Sequence, residues 1–110
     1  MKLEKQYQWV KIANDIDEIS FLKNGIAEIH LPEKNICIAD TSDGLRAFAA
    51  TCPHAGASLA ESGELDSRGN INCCVHNYRF SLKHGRDPFN EYFLKVFPVK
   101  VEHDGIYVGL

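Results

Sequence analysis

Two short runs of this 110-residue chain carry donor atoms suited to a metal: Cys52-Pro53-His54 and Cys73-Cys74-Val75-His76. Each pairs a thiol with an imidazole, as C-x-H in the first and C-x-x-H in the second, with eighteen residues between them. Thiolates bind iron and zinc well, and neutral imidazole binds both as a borderline ligand. Two such pairs on two loops could close around one centre. A Cys2His2 structural zinc site uses the same ligand types. Finger-type zinc sites group two Cys and then two His, whereas here the types are mixed within each run. That order disfavours zinc and leaves it open.

The flanking sequence predicts strands that would hold these loops. Gln8 to Ala13, Gly25 to Leu31, Asn35 to Asp40 and Leu45 to Ala50 read as short strands. Ser42-Asp43-Gly44 is a hairpin signal between the last two. Near the C-terminus, Lys95 to Glu102 turns at His103-Asp104-Gly105 and returns through Ile106 to Val108. Asn14 to Leu22 holds the one candidate helical turn. From Thr51 to Asp87 the pattern breaks into Gly, Ser, His, Cys and charge, with strand signals at Asn70 to Cys73 and Arg79 to Leu82. A long irregular stretch inside a compact domain is commonly functional. The expectation is an all-β chain forming one domain over 1–110. Its base spans 1–50 and 88–110, and the inserted segment spans about 51–87.

Composition narrows the function. A chain of this length buries about 65% of its unfolded surface, enough for a core without disulfide staples. Twelve Lys and Arg stand against fifteen Asp and Glu, for a formal net charge of −3. No basic run marks a nucleic-acid partner. No apolar stretch has the length of a membrane span or a signal core. A cytoplasmic protein is expected, in which thiols interleaved with His read as metal ligands rather than as disulfides.

Cys-Pro-His-Ala-Gly-Ala-Ser-Leu at 52–59 and Cys-Cys-Val-His-Asn-Tyr-Arg-Phe at 73–80 resemble the two cluster-binding boxes of Rieske-type ferredoxins. The flanking hairpins also resemble that family's base domain. The resemblance implies an antiparallel β-sandwich or barrel base with a small inserted cluster-binding subdomain. It implies one [2Fe–2S] cluster, with Cys52 and Cys73 on one iron and His54 and His76 on the other. By the same pattern Cys73, not Cys74, is the ligand. Family members usually carry Pro where Cys74 stands and Gly where Asn77 stands. Asn tolerates the left-handed conformation that a Gly would serve there. Gly56 would let backbone N–H groups approach the cluster sulfurs. Pro88 lies where the family places a loop that shields the site, and it reads equally as a turn residue. Tyr78 and Arg79 are expected to pack the second loop on the base. Cys37 reads as a core thiol, and His30, His84 and His103 as surface residues.

With every protein ligand position filled, the implied function is one-electron transfer rather than catalysis, and no catalytic residue is assigned. High-potential relatives carry a disulfide between the two loops and two hydroxyls after the second His. The corresponding positions here are Ala57 and Val75, and Tyr78 and Phe80, so a low potential is expected. By resemblance the donor is a flavin-dependent reductase and the acceptor an oxygenase or related enzyme. The chain is expected to be a monomer, with no room for an oxygenase catalytic domain. Two alternatives stay open: a small Rieske-like subunit of a larger oxidoreductase such as nitrite reductase, and a zinc-stabilised binding module. Many such small subunits lack the ligands, which counts against the first.

Overall fold

The computed structural model describes residues 7–53, 56–73, 78–89 and 91–110. Its strands are β1 (Trp9–Ala13), β2 (Ile26–His30), β3 (Asn35–Thr41), β4 (Gly44–Ala49), β5 (Gly63–Leu65), β6 (Asn70–Cys73), β7 (Tyr78–Ser81), β8 (Val96–Phe97), β9 (Val99–Glu102) and β10 (Gly105–Gly109). A 3-10 turn covers Ile16–Glu18, inside the segment expected to hold a helical turn, and a one-turn helix, α1, covers Leu59–Ser62. The fold is all-β and its pairings are antiparallel. Three sheets form among the described residues, in the orders β1-β10-β9, β2-β3-β4-β8 and β5-β6-β7.

The middle sheet carries the design. Strand β3 is buried over four consecutive residues, from Ile36 to Ala39. Successive side chains of a strand point to opposite faces, so the run divides between two cores. Ile36 and Ile38 join Ala27, Ala47 and Phe97 with Ile106 and Val108 of β10. Cys37 and Ala39 join Ile26 and Phe48 with Leu59, Ile71, Cys73, Phe80 and Leu94. One face of the sheet therefore packs on the terminal strands, and the other packs on the segment containing the two Cys-His runs.

Hairpin chemistry fixes the register. Ser42-Asp43 joins β3 to β4 with Thr41 opposite Gly44, and His103-Asp104 joins β9 to β10 with Glu102 opposite Gly105. Gly44 takes φ +104°, which L side chains rarely adopt. Pro98 divides the predicted 95–102 strand into β8 and β9, since proline lacks the N–H a ladder needs. A chain of sequential hairpins does not form throughout, because β1 pairs with β10 and closes the N-terminal strand on the C-terminal hairpin.

Candidate metal centre

Two elements bring the thiols of the Cys-His runs into one apolar layer. Cys52 follows β4 in a loop closed by an antiparallel bridge between Thr51 and Ser58. Inside it the Cys52 N–H donates to Ala57 O at 2.9 Å and the Gly56 N–H donates to Cys52 O at 2.8 Å. The tight return puts Gly56 at φ +70°. A Cβ on Gly56 would meet nothing within 4 Å among the described residues. The positive φ favours glycine here, and its N–H goes to the Cys52 carbonyl. Cys73 ends β6, opposite Gly63 on one side and Tyr78 on the other. Both thiols are essentially inaccessible, Cys52 at 1% and Cys73 at 0%, and both belong to the same buried cluster.

Gly63 shows how closely the neighbouring elements pack. A Cβ there would lie 2.5 Å from Leu59 O and 2.7 Å from Ile71 Cδ1. Asn24, just before β2, ties this unit to the middle sheet. Its Nδ2 donates to Ala60 O at 2.9 Å and to Gly63 O at 3.0 Å, and its Oδ1 accepts from the Ile26 N–H at 3.2 Å.

The loop after β7 is anchored by Asp87, a residue the motif reading passed over in favour of its neighbour Pro88. Asp87 is 4% exposed. Its carboxylate accepts from the Tyr78 hydroxyl, from the Glu91 N–H at 2.9 Å and from the Tyr92 N–H at 3.1 Å. The available signal was Asp-Pro, which commonly starts a turn. Gly85 completes the anchor with φ +80°. A Cβ on it would lie 1.9 Å from Leu94 O. Desolvation first, then the hydrogen bond to Asp87 and its negative charge, push the Tyr78 hydroxyl above its ordinary range. Tyr78 thus joins the second run to the third loop through Asp87 and ring contacts with Phe80 and Tyr92. Tyr78 also packs against the buried cluster that includes Ile26, Cys37 and Phe48 of the base, in line with the expectation. Arg79 is exposed.

Other residues fall as follows. Pro88 is exposed and lines a small cavity of about 100 Å³ with Tyr78, Arg79 and Phe89. Cys37 is a core thiol, pushed up to about 12 by burial and by the Glu28 charge. His30, His84 and His103 are exposed. His54 and His76, with Cys74, Val75 and Asn77, lie outside the described residues.

The described residues thus form a small antiparallel β-domain in which Cys52, from a loop, and Cys73, from a strand end, are buried in one apolar cluster. A sequence profile of the Rieske [2Fe-2S] domain matches residues 8–89, and the chain belongs to that family. It is an electron-carrying component of the oxidoreductase type, and its cofactor is the family's [2Fe–2S] cluster. Cys52 and Cys73 fit that group as soft sulfur donors of the kind that holds iron, at positions closed to solvent.

No curated protein matches the chain by sequence. Among solved structures it is similar to a chain of the complex of reduced oxygenase and oxidized ferredoxin in carbazole 1,9a-dioxygenase. That match has 27% identity and a TM-score of 0.74, covering 92% of each chain. The ferredoxin of carbazole 1,9a-dioxygenase from Nocardioides aromaticivorans IC177 shares the fold at 20% identity and TM-score 0.73, covering 91% of this chain and 95% of that one. A protein assigned as the small subunit of an NADH-dependent nitrite reductase from Mycobacterium tuberculosis shares it at 18% identity and TM-score 0.78. That match covers 96% and 97% of the two chains. No helix among the described residues is long and apolar enough to cross a membrane.

Proposed function

We propose that this chain is a cytoplasmic, monomeric, low-potential one-electron carrier without catalytic activity of its own. Cys52 and Cys73 would hold one iron, and His54 and His76 the other. Residues 51–87 form the cluster-binding subdomain on a base of 1–50 and 88–110. The observation that carries this reading is that Cys52 and Cys73, each the first residue of a Cys-His run, belong to one buried cluster. When bound, the cluster supplies reversible uptake of one electron. The chain's own residues exclude water from the thiols, and Asp87 and Tyr78 fix the loop beside them.

Two structural points support the low potential. Hydrogen bonds to cluster sulfurs stabilise the added electron and raise the potential. The Tyr78 hydroxyl donates to Asp87. Phe80, fully buried, has no hydroxyl to donate. Rieske centres span about −150 to +300 mV, and this chain belongs near the lower end. The 27%-identical match comes from an oxygenase–ferredoxin complex, which supports an oxygenase-type acceptor; a flavin-dependent reductase as donor rests on the family resemblance alone. The nitrite reductase small subunit has the same fold, so fold does not separate the two readings, whereas the intact Cys-His order favours the carrier. Protein-film voltammetry tests the proposal. A one-electron wave near the bottom of the range supports it, and a midpoint well above about +100 mV contradicts it.

A further inference from the structure

An open groove of about 610 Å³ runs from the edge of the middle sheet to the loop carrying Cys52. Thr51, Gly56 and Ser58 form its loop end, and Lys34, Lys95 and Phe97 form its sheet end. Lys34 Nζ and Lys95 Nζ each lie 5.6 Å from the centroid of the Phe97 ring. The two ammonium groups are therefore no farther apart than twice that distance.

Like charges brought together repel, and the negative face of an aromatic ring offsets only part of that repulsion. Neither lysine forms an ion pair among the described residues, whose ion pairs are His30–Glu28 and Lys100–Glu102. Glu28 also lines the groove, with its carboxylate 3.9 Å from His30 Nδ1. The groove thus holds two Lys against one Glu on a chain of net charge −3. Asn35 and the hydroxyls of Thr51 and Ser58 add hydrogen-bonding groups to its wall.

We infer that this groove is a docking site for carboxylate side chains of an acidic redox-partner protein, received between Lys34 and Lys95. The inference rests on the carrier reading. A positive groove on a negative molecule orients an approaching acidic partner by electrostatic complementarity. Because Thr51 and Gly56 belong to the groove as well as to the Cys52 loop, a partner seated there lies against that loop.

Hexacyanochromate(III), a substitution-inert paramagnetic trianion, maps the site. It is titrated into the oxidised, isotope-labelled holoprotein at low ionic strength, and amide broadening is followed. The expected result is broadening centred on residues 33–35 and 95–97. The affinity should fall about tenfold in the Lys34→Gln/Lys95→Gln variant. It should be retained in Lys11→Gln/Lys100→Gln, which changes net charge equally. A hexaglutamate peptide should displace the probe, and an uncharged hexaserine peptide should not.

Broadening elsewhere, or equal loss in both double variants, overturns the site. Displacement by inorganic anions but not by hexaglutamate overturns the protein partner. Broadening does not require electron flow, so failure of the carrier reading appears separately, in the iron content and redox activity of the same preparation.

Discussion

Asp87→Ala removes the acceptor on which the third loop converges. Asp87 is 4% exposed and serves one hydroxyl and two backbone N–H groups. A hydrogen bond to a charged group contributes about 1.5–3 kcal/mol, and a donor left buried without one costs a similar amount. Three such bonds taken at face value exceed what a single substitution commonly costs. Glu91 and Tyr92 sit at exposed positions, so water recovers part of the loss. About 3 kcal/mol should remain, against a total stability of about 5–15 kcal/mol for a domain of this kind. The loss is local, because the bonds join residue 87 to residues 78, 91 and 92. Amide hydrogen exchange is therefore the sensitive assay. Protection at Glu91, Tyr92 and Leu94, whose N–H donates to Gly85 O at 2.7 Å, should fall by on the order of 100-fold. Iron release on chelation should accelerate in parallel. Asp87→Asn keeps one acceptor oxygen and should lose less. Wild-type protection at all three amides in Asp87→Ala would refute the anchoring role.

Further outcomes are specific to single residues. Cys73→Ser should abolish iron binding while Cys74→Ser retains it; iron analysis of both variants decides, and loss in Cys74→Ser alone would show that the register is wrong. Phe80→Tyr should raise the midpoint potential if its new hydroxyl reaches the Cys73 sulfur; an unchanged potential in a folded, fully loaded variant would break that link. The Cys37 thiol, at about 12, keeps its proton in the folded state while the unfolded thiol releases it near its ordinary value of about 8.5. Its stabilising contribution is therefore complete below about pH 8.5 and is lost as the pH rises toward 12. Cys37→Ala should flatten the alkaline loss of stability, and iodoacetamide at pH 8 should leave native Cys37 unlabelled by mass spectrometry.

Much of the base was legible because its strands follow local rules. Turn residues at 42–44 and 103–105 mark hairpins that form as read, and within the inserted segment Asn70 to Cys73 is a strand with the predicted bounds. Pairing of β1 with β10 depends on contacts across nearly the whole chain, and no local pattern encodes it. The four-residue buried run of β3 follows from two cores meeting one sheet. The continuous apolar run Ile36-Cys37-Ile38-Ala39 is itself the sequence mark of a strand buried on both faces. Near the site, the two Cys-His runs and the family resemblance pointed to Cys52 and Cys73, which the fold places in one buried cluster. The motif reading passed over Asn24 and Asp87, whose importance comes from backbone groups that they meet only in the folded chain.

The central claim is that two thiolates and two imidazoles, Cys52 and Cys73 with His54 and His76, hold one [2Fe–2S] cluster. Pulsed electron paramagnetic resonance on the reduced protein, grown with nitrogen-labelled histidine, tests it most directly. The account predicts two iron and two acid-labile sulfide per chain and coupling from two histidine nitrogens. It also predicts that His54→Ala and His76→Ala each abolish this paired coupling. A colourless protein with stoichiometric zinc, or an iron signal without histidine coupling, would contradict it.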